Sequence, residues 1–127
     1  MRRLLIIGGN GIISWWVANR ALERGWHVTI INRGVNRDRP VTDGVVELRG
    51  DADDPASIRR AITGREFDVV INFRAYRPEQ VAADIEFFEG AIGQYVFLSS
   101  ASAYQKPIAA LPITESSALR NPFWQYS

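Results

Sequence analysis

The sequence has no cysteine and only one histidine, one methionine and one lysine (Lys106) in 127 residues. Without cysteine there is no disulfide framework, no thiolate metal site and no cysteine nucleophile, a composition that suits a reducing, cytoplasmic setting. The single histidine, His27, and scattered carboxylates make no metal-ligating cluster, so no metal is expected. Long apolar runs are also missing. Gly8-Gly9-Asn10-Gly11 interrupts the stretch that begins at Leu4, which argues against a secretory leader there, and no segment approaches a membrane span. An excess of charge of either sign is absent too: the net charge is +1. That leaves no electrostatic footprint for nucleic acid or a membrane surface.

What is present is the makeup of an ordinary soluble domain, 46% apolar and 23% charged. A chain of this length holds one domain with a real core but no separate substrate lobe. Short apolar runs alternate with helical segments. Leu4–Ile7, Val28–Ile31, Val45–Leu48, Asp68–Phe73 and Tyr95–Leu98 are predicted strands, the first continuous and β-branched like a strand buried on both faces. Ile12, Ile13, Trp16, Val17, Ala21 and Leu22 recur at helical spacing up to Gly25. Pro55, after the capping candidates Asp53 and Asp54, opens a helix to about Gly64, and Pro78 opens another through Phe88. The expected fold is therefore α/β, a Rossmann-type doubly wound parallel sheet over residues 1–127 that stops after its fifth strand. From Ser99 to Pro122 the chain has no period and reads as a long loop.

The first strand runs directly into Gly8-Gly9-Asn10-Gly11-Ile12-Ile13-Ser14 and a helix. Glycines let a backbone turn sharply and approach a pyrophosphate, whose charge meets free N–H groups at a helix N-terminus. Gly8, Gly9, Asn10, Gly11, Ile12 and Ile13 are thus candidate cofactor contacts. Ser14 stands where a third glycine is usual, a position that mainly permits close helix–strand packing. A tight turn without a ligand is the plain alternative. The acidic residue that holds ribose hydroxyls should end the second strand. Asn32 and Arg33 stand there instead, with Arg37 and Arg39 following. An arginine accommodates a 2′-phosphate, so NADP is preferred and NAD is the alternative, against the blander reading of a solvated arginine loop. Of Trp15 and Trp16, one can face the core while the other points about 100° away. Packing is the simpler reading for the pair.

The pieces LLIIGGNGIIS, VTIINRG, RGDADDP, FDVVINF, YVFLSSASAY and NPFWQYS stand in order over essentially the whole chain. In them the chain resembles the N-terminal part of extended or atypical short-chain dehydrogenases/reductases, the NAD-dependent epimerase/dehydratase family. The resemblance implies that Asp51, with Ala52 alongside, contacts the adenine amino group; a turn carboxylate preceding a helix is the alternative. It implies that Phe73, Arg74 and Ala75 lie beside the cofactor, although Arg74 departs from the small residues usual there. A guanidinium at that place would crowd the cofactor or point away. It implies further that Ser100 positions a substrate oxygen and that Tyr126 is the acid/base of a Tyr-x-x-x-Lys motif. A tyrosine with a free pKa near 10 is a poor base at neutral pH until a lysine and the cofactor's charge lower it. That lysine would fall at the third position beyond Ser127. The expectation is therefore an N-terminal portion, inactive alone, of a nucleotide-binding oxidoreductase, epimerase or dehydratase. Its small-molecule substrate would be a nucleotide sugar or a similar hydroxyl or carbonyl compound. Homodimerisation through the helix beginning near Pro78 is also implied. A non-catalytic dinucleotide sensor and an RNA-binding relative are the other readings.

Overall fold

The apolar run Leu4–Ile7 and the four apolar runs that follow it become the strands of one parallel sheet. The computed structural model describes residues 1–9, 11–34, 40–99, 111 and 114–116. Its elements in order are β1 (Arg3–Ile7), α1 (Ile12–Glu23), β2 (His27–Asn32), β3 (Val46–Arg49), α2 (Pro55–Ala61), β4 (Val69–Asn72), α3 (Pro78–Phe88) and β5 (Gln94–Phe97). The strand order is β3-β2-β1-β4-β5, every pairing parallel. This is the expected α/β arrangement of five strands. Boundaries differ from the predicted ones by a residue or so, apart from α2, which ends at Ala61 rather than near Gly64.

Local chemistry sets the helix ends. The side chain of Asp54 caps α2 by accepting the Ala56 N–H at 3.1 Å, and Pro55 supplies a first residue that has no N–H to satisfy. In α3, after Pro78, Gln80 Oε1 reaches back to the N–H groups of Tyr76 and Arg77. Past the end of α1, the N–H groups of Gly25 and Trp26 bond back to the Leu22 and Ala21 carbonyls, a Schellman closure.

Side chains along β1 alternate between two cores. Leu5 and Ile7 join Ile31 and Val70 beneath Ile58, Ile62 and Phe88 from the α2–α3 side. Leu4 and Ile6 join Val28 and Ile30 beneath Ala18 of α1. One expectation needs correction here. Ile12, Ile13 and Trp16 are not part of the buried stripe of α1; they are 62%, 62% and 65% exposed. The face that packs carries Ser14, Val17, Ala18, Ala21 and Leu22, which share one side of a helix. Buried Ser14 and Ala18 are small, so this is the side that can approach the sheet closely. Trp15 lies half-buried, its ring edge-on to Trp16 with centroids 4.9 Å apart. Trp16 is thus not packed into the core as the simpler reading had it. No helix among the described residues is long and apolar enough to cross a membrane.

At the amino ends of β1 and β4, Arg3 binds Asp68 through its backbone N–H at 2.8 Å and its guanidinium at 3.2 Å. These hydrogen bonds hold the Asp68 carboxyl below its ordinary value. The sign follows: the folded state binds the proton less readily than the unfolded chain, so stability from this pair is lost as pH falls. Asp68→Asn should therefore lower the thermal midpoint at pH 7, and its difference from wild type should shrink below about pH 4. Circular-dichroism melts across that range would check this. An equal difference at every pH would mean the ionised pair contributes nothing.

Candidate functional site

Every side chain of Leu4–Ile7 is buried, so the chain leaves β1 inside the protein, with its neighbours β2 and β4 on either side. Two glycines make that exit possible. Gly8 has φ +89°, a conformation that side-chain-bearing residues rarely adopt. Gly9 is buried against β2, and a Cβ there would collide with Ile30. The N–H groups of Gly8 and Gly9 both donate to the Ile31 carbonyl, at 2.9 and 3.2 Å, fixing the turn to the end of β2.

Ser14 does more than permit packing. Its buried Oγ accepts the Gly11 N–H at 2.9 Å and lies 3.2 Å from the Gly8 and Gly11 carbonyl oxygens. The serine therefore ties the turn to the first turn of α1. The N–H groups of Ile12 and Ile13 have no partner among the described residues, as expected for the first positions of a helix.

This turn forms the floor of a cleft of about 530 Å³ at the carboxyl ends of the strands. The cleft brings together Gly8, Gly11, Ile12, Ile13, Asn32, Arg33, Asp51, Ala52, Phe73 and Arg74 of the predicted set. Gly9 and Ala75 are buried and do not line it. Asn10, Arg37, Ser100 and Tyr126 lie outside the described residues. Ile31, Gly34, Ser14 and Tyr76 also line the cleft.

Asn32 does not present a free side chain to the cleft. Its Nδ2 donates to Glu47 Oε2 at 3.1 Å, and its Oδ1 accepts from the Gly34 N–H at 2.7 Å and from Arg49 at 3.3 Å. Glu47 also pairs with Arg49 at 3.3 Å. Glu47 and Arg49 were not candidates from the sequence. The parallel register that sets Arg49 opposite Asn32 brings them in, and this appears only once β3 is known to lie beside β2. Asp51 Oδ1 accepts the Asp53 N–H at 2.9 Å, so one of its oxygens serves the turn before α2.

On the other side of the cleft, Asn72 is buried at the end of β4. Its Oδ1 accepts the Arg74 N–H at 2.8 Å, and its Nδ2 donates to Asp84 Oδ2 at 2.6 Å. The same Asp84 oxygen accepts the Tyr95 hydroxyl at 2.6 Å. Burial, and then this hydrogen bond, push the Tyr95 hydroxyl above its ordinary value, so it stays a neutral donor.

A larger depression of about 730 Å³ lies at the opposite, amino end of the strands. Arg3, Glu66 and Asp68 there already satisfy one another. It also lies beside the carboxyl ends of α2 and α3, whose dipoles disfavour an anion. For an anionic ligand the glycine-lined cleft is the fitting site.

A family model described as "NAD dependent epimerase/dehydratase family" matches residues 4–127. Among curated proteins, the chloroplast stem-loop binding protein of 41 kDa b of Arabidopsis thaliana is 26% identical over 117 residues, covering 83% of this chain and 31% of that protein. Among solved structures, a UDP-glucose 4-epimerase superposes with a TM-score of 0.79 at 20% identity, covering 95% of this chain and 42% of that one. The Bordetella bronchiseptica enzyme WbmG in complex with NAD and UDP gives 0.77 at 19% identity, covering 94% and 44%. These structural likenesses show the fold. The chain spans less than half the length of each of these relatives.

Tight contact at Gly9 gives a prediction. Gly9→Ala should destabilise the domain by about 1–3 kcal/mol through overpacking against Ile30. A urea unfolding midpoint equal to that of wild type would show that the turn is looser than described.

Proposed function

This chain belongs to the NAD dependent epimerase/dehydratase family, and on that premise we propose that it is the dinucleotide-binding portion of an NAD(P)-dependent oxidoreductase, epimerase or dehydratase. Its substrate would be a nucleotide sugar or a similar hydroxyl or carbonyl compound. The observation that supports this best is the place of the glycine turn. It lies where the strand order reverses, between β1 and β4, at the carboxyl ends where open parallel sheets take their ligands.

The residues present fit such a ligand. Gly8, Gly11 and the open N–H groups of Ile12 and Ile13 line the diphosphate side, and Asp51 and Ala52 line the side assigned to the adenine. When bound, the nicotinamide supplies hydride transfer. The protein's part is to hold and orient it, with Ser100 positioning a substrate oxygen and Tyr126 exchanging its proton.

Of the two dinucleotides, the preference is for NADP. Arg33 is exposed at the cleft, and both acceptor directions of Asn32 Oδ1 are occupied by Gly34 and Arg49. With both ends of the Asn32 amide engaged, Arg33 is the group left at that side of the cleft for a ribose 2′ substituent, which suits a phosphate. A second copy of the chain would pack on the outer face of α3, where Ile85 is exposed. The absence of cysteine is in keeping with a cytoplasmic setting. A non-catalytic dinucleotide sensor is a second reading, favoured by the arginine at position 74 in place of a small residue beside the turn.

Titration with NADPH and with NADH, following the fluorescence of either cofactor, tests the proposal. Saturable binding of both, tighter for NADPH, is expected. Tighter NADH binding would keep the site and remove the case built on Arg33. Binding of neither would overturn the proposal.

A further inference from the structure

Resting on the proposed dinucleotide site, we infer that Arg74 is a diphosphate-binding residue that supplies from its side chain the charge this glycine turn lacks. Three of the described turn donors are already engaged. Gly8 and Gly9 donate to the Ile31 carbonyl, and Gly11 donates to Ser14 Oγ. The N–H groups of Ile12, Ile13 and Ser14 stay open among the described residues, neutral donors for a ligand group that carries two negative charges.

Arg74 lies against this turn. A Cβ on Gly8 would collide with Arg74 Cγ, so the arginine stem runs across the glycine itself. Its backbone is fixed by Asn72, which Asp84 holds in turn. The guanidinium lies over the Tyr76 ring, 5.4 Å from its centroid, and both residues line the cleft. No carboxylate and no hydrogen-bond acceptor meets that guanidinium among the described residues; Arg2, Arg24, Arg59 and Arg65 share that lack but are exposed, whereas Arg74 is half-buried in the cleft. A half-buried cation with planar N–H donors and no anion is built to receive one. A diphosphate matches it by charge and by the geometry of two parallel hydrogen bonds.

The test is to compare wild type with Arg74→Gln and Arg74→Lys for binding of NADPH, ADP and adenosine, at two salt concentrations. Loss of a charge-assisted hydrogen-bond pair should weaken NADPH and ADP roughly ten- to a hundredfold in R74Q, with partial recovery in R74K. Adenosine, which has no phosphate, should bind both variants as it binds wild type. The salt dependence of ADP affinity should be shallower in R74Q than in wild type. A matching thermal midpoint for R74Q would show that the fold is intact. Unchanged or tighter NADPH binding by R74Q, with wild type binding normally, would overturn the role of Arg74 and leave the dinucleotide site standing. Equal loss of adenosine and ADP would also overturn it, since the effect would then be on the shape of the cleft. Failure of wild type to bind NADPH, NADH and ADP would remove both conclusions together.

Discussion

Leu4, Leu5, Ile6 and Ile7 are at most 2% exposed, and β1 is flanked on both edges by other strands. The chain must therefore leave β1 within the interior and reverse towards α1 with almost no volume for side chains. Gly8 and Gly9 satisfy that constraint, one by its backbone angle and the other by having no Cβ to strike Ile30. The cleft follows from it. The strands on the β2 side leave the sheet in one direction and those on the β4 side in the other, so a crevice opens above β1. The glycine turn forms its floor.

The two walls of that crevice are held by different means. On the β2 side the holding groups are charged and partly exposed: Asn32, Glu47 and Arg49 are joined across the ends of two adjacent strands. On the β4 side they are less exposed. Asp84 reaches from α3 to take hydrogen bonds from Asn72 on β4 and Tyr95 on β5 with one oxygen. A half-buried carboxylate needs donors to replace the water it loses, and two at 2.6 Å meet it. The Arg74 turn hangs on this network through Asn72. Changes within α3 would thus reach the cleft along hydrogen bonds, without touching a ligand.

The order and type of all eight elements could be read from the sequence, because the strands give short apolar runs, unbroken in the buried β1, and prolines and glycines mark the helix limits. The glycine turn was legible for the same local reason. Facing was not legible where a helix is apolar on more than one side. Ile12, Ile13 and Trp16 carry the same periodicity as a buried stripe, and only the contact of Ser14 and Ala18 with the sheet decides which side goes in. Pairings across the sheet were hidden too. Glu47 and Arg49 acquire a role through the register of β2 with β3, and Asp84 through the packing of α3 over β4 and β5. Neither has a signature in residue spacing.

Ser14 shows how one local departure propagates. A glycine at that position would let helix and strand approach and leave the Gly11 N–H to a ligand. The serine keeps the close approach, since it is almost fully buried, but its hydroxyl takes that N–H for itself. The turn is stiffened and its capacity for an anion is reduced by the same atom. A site that gives up a backbone donor must recover the interaction from elsewhere or bind more weakly. The side chain that lies against the turn, on the β4 side of the cleft and without a carboxylate of its own among the described residues, is an arginine. In the proposed diphosphate site, the two departures from the usual glycine-and-small-residue pattern, Ser14 and Arg74, would form a compensating pair: the first removes a neutral donor from the turn, and the second returns a charged one.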